Sequence, residues 1–142
     1  MANVFDVANY ILEKKAPITV MKLQKLVYYS QAWSLVWDEK PLFEEEIQAW
    51  RHGPVVPELY KAHAGQFRLE SLPSGDGKNL TSEEKETVDS VLETYGERSS
   101  QWLSDLTHME SPWIDARKGL PADSSSQNEI THASMAEYYS SL

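Results

Sequence analysis

The sequence contains no cysteine. That excludes disulfides, thiol nucleophiles and thiolate metal sites, and it fits a reducing cytoplasm. Long apolar runs are missing as well. No stretch is long enough to cross a bilayer. The N-terminal MANVFDVANYILEKK has neither the basic start nor the unbroken apolar segment of a secretion signal. The expectation is a cytoplasmic protein with no membrane contact. Cations are scarce: 13 Lys and Arg stand against 22 Asp and Glu, a net charge of −9. Residues 1–71 carry eight Lys and Arg against nine Asp and Glu, whereas residues 72–142 carry five against thirteen. A nucleic-acid binder needs cations to displace condensed counterions, so direct contact with DNA or RNA is not expected. An acidic half can instead attract a basic protein, or simply keep the surface soluble.

The chain has 142 residues, the length of one domain. A chain of that length buries roughly two thirds of its unfolded surface. Five Trp and seven Tyr supply large apolar bodies, which serve cores and interfaces alike.

Helical periodicity organises most of the chain. In residues 3–14, Val4, Val7, Ala8, Ile11 and Leu12 share one face and Pro17 bars continuation, giving an amphipathic helix within residues 1–16. Thr19 is a suitable N-cap for a second helix over 20–37. Its apolar side chains occupy nearly the whole circumference, so this helix is expected to be wrapped by others as a central strut. Its most mixed sector holds Lys22, Lys25, Tyr29, Trp33 and Val36 and is expected to stay partly open. The segment FEEEIQAW alternates only weakly, which leaves room for a minor hairpin near 43–52. Gly53 and Pro54 turn the chain, Pro57 suits the first position of a helix to about His63, and Gly65 is placed to end it.

Residues 68–80 are rich in turn formers and read as a mobile surface loop. Thr81 and Glu84 have capping-box spacing ahead of a helix with Val88, Val91, Leu92 and Tyr95 on a narrow apolar stripe, and Gly96 ends it. The rest of that helix is acidic, with Glu83, Glu86, Asp89 and Glu93. Further helices are expected over 99–108 and from Ser111 to Gly119. Residues 120–128 read as a loop. A last helix capped by Thr131 would bury Met135 and either Tyr138 or Tyr139.

Catalytic and metal-binding patterns are thin. His52 and His63 are eleven residues apart, and neither they nor His108 and His132 have the short-range spacing of a metal pair. His52 beside Arg51 could be a general base. The simpler reading has Arg51 and His52 bonding carbonyls around the Gly53-Pro54 turn, since no partnered Ser or Asp is in view. Glu44, Glu45 and Glu46 are adjacent and point different ways, unlike paired catalytic carboxylates. PSGDGK lacks phosphate-loop spacing. No cofactor is expected.

Four stretches follow in order: MKLQKLVYYSQAW, PLFEEEIQAWRHGPVVPELYKAH, LTSEEKETVDSVLETYG and LSDLTHMESPWIDAR. Together they resemble the Panacea domain, the SocA-like antitoxin domain also found in phage-associated proteins. The resemblance implies a mainly helical cytoplasmic protein, encoded beside a toxin and neutralising it by direct protein–protein contact. Members are paired with unrelated toxins, so the role is implied without the partner. One branch is tied to delivery of the toxin to an ATP-dependent protease, which makes degradation an alternative mode. The match begins by residue 21, and with a single helix ahead of it autonomous promoter binding through a helix-turn-helix is not expected. No established catalytic residue of the family carries over.

These readings combine into one mainly α domain spanning 1–142, a helical bundle around the 20–37 helix with a minor hairpin. The expected function is antitoxin, without enzymatic activity of its own. Glu83, Glu86, Asp89 and Glu93 form the first expected toxin contact, because toxins that act on nucleic acid tend to be basic. The mixed sector of the central helix, with Lys22, Tyr29 and Trp33, joins Trp50 and Arg51 as the second. His52, Gly53, Pro54 and Pro57 are read as turn and helix-start residues. A rival reading is an enzyme that reverses a toxin-made modification through His52.

Overall fold

A computed structural model describes residues 1–142. The first helix, α1 (Val4–Lys15), begins at Asn3, whose side chain accepts the Asp6 N–H while the Asp6 carboxylate accepts the Asn3 N–H. This capping box satisfies donors that the first turn cannot pair internally. A two-residue strand, β1 (Ile18–Thr19), leads into α2 (Val20–Trp37), with Thr19 Oγ1 accepting the Lys22 N–H at 3.2 Å.

Helix α2 is the centre of the molecule. Leu23, Leu26, Val27, Tyr28 and Ala32 are buried on different sides of it, as an all-round apolar helix requires. Packed around α2 are α1, α4 (Ser82–Tyr95), α5 (Ser100–Thr107) and α7 (His132–Ser140). The remaining helices are α3 (Pro57–His63) and α6 (Ser111–Ala116), each with proline at its first turn. The architecture is mainly helical with a few small antiparallel strands. Its apolar core is one contiguous cluster.

The minor hairpin is present. Strands β2 (Ile47–Trp50) and β3 (Gly53–Val55) pair antiparallel, with Gln48 opposite Val55, Ala49 opposite Pro54 and Trp50 opposite Gly53. Ile47 and Ala49 face the core, and Gln48 and Trp50 lie half-buried on the other side. Pro54 lies on an edge strand, where a missing N–H is tolerated. The sequence reading lacks the third strand, β5 (Glu129–Ile130), which pairs with the opposite edge of β2.

Residues 68–80, expected to be a mobile loop, are instead fastened to α1. Arg68–Leu69 form β4 and pair with β1, and a short 3-10 turn covers Gly77–Asn79. Asp6 Oδ1 accepts the Asp76 N–H at 2.8 Å and Asn79 Nδ2 at 3.1 Å. Burial works to raise the Asp6 pKa, but these bonds and the one from Asn3 outweigh it and hold it below the ordinary value. Asn9 accepts the Leu72 N–H and donates to the Ser74 carbonyl. The polar face of α1 therefore serves as the anchor for this loop.

The core also contains a polar network. Tyr29 and Tyr139 each donate to Glu110 Oε1 at 2.7 Å, and Tyr28 donates to the Tyr139 hydroxyl at 3.0 Å. Burial pushes the Glu110 carboxyl up, and the tyrosine donors partly offset that. Tyr139 is the buried member of the Tyr138–Tyr139 pair, and Met135 is buried beside it. Arg117 is buried over the Trp113 ring and donates to the carbonyls of Ala49, Pro121 and Ser124. It thereby ties the loop after α6 to the hairpin.

Candidate binding cavity and contact surfaces

The Arg51-His52 turn and α3 form one side of a cavity of about 390 Å³, within the size range of small-ligand pockets. The opposite side comes from the first turns of α2, and residues 125–127 complete the rim. Arg117 positions that rim through Pro121 and Ser124.

Gln24, Lys25 and His63 supply the cavity's buried polar groups. Gln24 Oε1 accepts the Val56 N–H at 2.9 Å, which fixes the orientation of its amide. Its Nε2 then donates to the Val56 carbonyl at 3.3 Å and to His63 Nε2 at 3.0 Å. His63 Nε2 is therefore the acceptor, and the neutral ring carries its proton on Nδ1. Nδ1 has no hydrogen-bond partner in the protein. Burial lowers the His63 pKa, and nearby Lys25 lowers it further.

Lys25 is 1% exposed, and its Nζ donates to the Pro54 carbonyl at 3.2 Å. Burial alone brings its pKa down to about 7. The ion pairs of the molecule lie elsewhere: Lys15 with Glu97, Lys40 with Glu83 and Lys61 with Glu58. Gly53 makes room for Lys25. A Cβ at Gly53 would lie 2.5 Å from Lys25 Cε, and its φ of +118° disfavours any side chain. His108, stacked on Trp113 at 4.1 Å, has its pKa lowered by burial and then by Lys25. The apolar walls include Val55, Trp50 and Tyr60, with the two rings edge to face at 5.0 Å.

Arg51 and His52 depart from the sequence expectation. Both side chains are exposed and neither bonds a carbonyl of the turn. Other groups hold the turn: Ser104 Oγ donates to the His52 carbonyl at 2.6 Å, Trp113 Nε1 to the Trp50 carbonyl at 2.8 Å, and Lys25 to Pro54. Gly53 and Pro54 form β3, and Pro57 starts α3. His52 has no hydrogen-bonded acid or nucleophile beside its ring, and no group of three or more His, Asp or Glu side chains comes together as a metal cage.

The mixed sector of α2 is also corrected. Tyr29 is completely buried against Glu110, stacked on Tyr95 at 4.3 Å, and Lys25 is buried in the cavity. Neither is on an open face. Lys22 and Trp33 remain half-buried, as does Trp50, whose Nε1 donates to Gln48 Oε1 at 2.8 Å. Trp33 donates to the Tyr95 hydroxyl at 3.1 Å and stacks at 5.0 Å on Trp37, which is 49% exposed. Trp37 is thus the more accessible aromatic of this surface, and a solvent-facing position in the last turn of α2 was the available signal.

Glu83, Glu86, Asp89 and Glu93 are all exposed along α4. Glu83 pairs with Lys40 at 3.4 Å in solvent, and Asp89 accepts the Tyr10 hydroxyl at 2.8 Å. The structure thus separates an acidic ridge on α4 from a cavity at the start of α2 whose lining includes Lys25, Arg51 and two histidines but no acid.

The structure is thus a small helical domain built on one buried strut, with accessible aromatic and acidic surfaces. Residues 23–114 match the family model described as "Antitoxin SocA-like, Panacea domain". The chain belongs to that family. It is 29% identical over 124 residues to "Antitoxin SocA" of Caulobacter vibrioides (strain NA1000 / CB15N), covering 75% of this chain. The alignment spans 66% of that relative's length, slightly under two thirds. No solved structure matches. No helix is long and apolar enough to cross a membrane.

Proposed function

We propose that this protein is an antitoxin that neutralises a cognate protein toxin, encoded by the adjacent gene, by binding it directly. Membership of the SocA-like family over residues 23–114 carries the proposal. Neutralisation is stoichiometric and makes or breaks no bond through this chain's own side chains. The acidic ridge of α4 is the first contact, suited to the basic surface a nucleic-acid-directed toxin presents. The second contact is the patch of Lys22, Trp33 and Trp37, with Trp50 and Arg51 at the hairpin. Large half-exposed aromatics there would become anchors on burial.

Co-expression with the product of the adjacent gene, followed by pull-down, tests the role. A stable complex that restores growth supports it; restored growth without a complex contradicts direct binding. The same experiment in a host lacking ATP-dependent proteases separates simple binding from delivery for degradation. Protection should persist there, and its loss would establish the adaptor mode.

A further inference from the structure

We propose that the cavity between the start of α2, the β2–β3 hairpin and α3 binds a small anion, a carboxylate or phosphate carried on a planar apolar body. Lys25 and His63 would take the anionic group, and Trp50 and Tyr60 would take the plane.

The polar side of the argument rests on buried, incompletely paired groups. His63 is 3% exposed and lines the cavity, and its Nδ1 has no partner, although the Gln24 contact places the proton there. Lys25 is buried in the same lining, with three N–H donors and the Pro54 carbonyl as acceptor. The basic groups close enough to act on Lys25 are His63 from α3 and His108 after α5, and the exposed Arg51 and His52 of the hairpin turn line the same cavity. None of the cavity-lining residues is an acid. Lys25 and Arg51 therefore line a cavity that holds no acidic side chain to pair with them. An ammonium buried without a counter-ion opposes folding, so a purely structural role would be better filled by a neutral donor. An external anion would complete the hydrogen bonding of both Lys25 and His63.

The apolar side sets the body of the ligand. At about 390 Å³ the cavity exceeds a lone carboxylate or phosphate, and its Trp50–Tyr60 wall suits a flat ring. This inference does not rest on the antitoxin reading, because the purified chain alone can be tested.

The probes are benzoate, indole-3-carboxylate and adenosine monophosphate, with benzamide, indole-3-carboxamide and adenosine as neutral counterparts. Binding is followed by NMR of the His63 ring and the Trp50 indole N–H. At least one anion should shift both signals, with about tenfold or greater preference over its neutral counterpart. Comparing the carboxylates with the nucleotide tells which anion the site takes. Lys25→Met should abolish the preference, while Lys78→Met, in the loop against α1, should keep it. Wild-type affinity gives a check that needs no variant. It should fall at least about tenfold from pH 7 to pH 9, as Lys25 loses its proton. No shift with any anion at millimolar concentration, equal binding of neutral counterparts, or affinity independent of pH would each overturn the proposal.

Discussion

Replacing Lys25 with methionine should stabilise the protein at neutral pH and destabilise it in alkaline solution. An ordinary lysine titrates near 10.5, and burial brings Lys25 to about 7. Each pKa unit corresponds to about 1.4 kcal/mol, so burying this side chain costs about 4–5 kcal/mol at pH 7 and below relative to alkaline solution. Between the two pKa values the unfolded chain holds a proton that the folded chain has released. Wild-type stability therefore rises with pH across that window and is level with respect to this group below it. Methionine fills similar space without charge, but it removes the donor to the Pro54 carbonyl, a loss of about 1–3 kcal/mol. The balance at pH 7 is a gain of about 1–4 kcal/mol, or a midpoint increase of about 3–12 °C in a domain this size. Above about pH 9 the lost hydrogen bond dominates and the sign reverses. Urea unfolding followed by tryptophan fluorescence at several pH values measures the crossover. A variant less stable by the same amount at every pH would refute the reasoning, because Lys25 would then be buried without electrostatic penalty.

Other perturbations test other parts of the account. Reversing Glu83, Glu86, Asp89 and Glu93 to lysine should slow association with the toxin about tenfold or more at low salt, with the difference shrinking as salt is added; unchanged kinetics would remove α4 from the interface. Gly53→Ala should destabilise by about 2–4 kcal/mol, combining a disfavoured φ of +118° with a collision at Lys25 Cε. Tyr139→Phe removes the hydroxyl between Tyr28 and Glu110 and should lower chemical-denaturation stability by about 1–3 kcal/mol. His52→Ala should leave protection against the toxin intact, since the His52 ring is exposed and the turn is held through the His52 carbonyl.

The helices were readable because their signals are local. Thr19 and Thr81 cap where their spacing predicts, and the all-round apolar character of 20–37 identifies the central helix before any packing is known. What escaped depends on residues far apart in sequence. Strand β5 is two residues long and exists only because β2 offers it an edge. A helical wheel groups Lys25 and Tyr29 with Lys22 and Trp33. Their burial is decided by Gly53, which leaves space for the lysine, and by Glu110, which accepts from the tyrosine. His63 was visible as an isolated histidine, but its tautomer follows from Gln24, 39 positions earlier. The stretch WRHGPVVPELYKAH is accordingly a turn and a helix start, as read, and also one side of a cavity that no local pattern announces.

The central claim is that this chain neutralises its toxin by occupying it. Titrating purified protein into a fixed amount of the purified adjacent-gene product, while following the toxin's activity, tests that most directly. Inhibition should rise linearly and end near an equimolar ratio, with the two chains eluting together. Full rescue at a small fraction of an equivalent, with the toxin recovered free, would contradict the account.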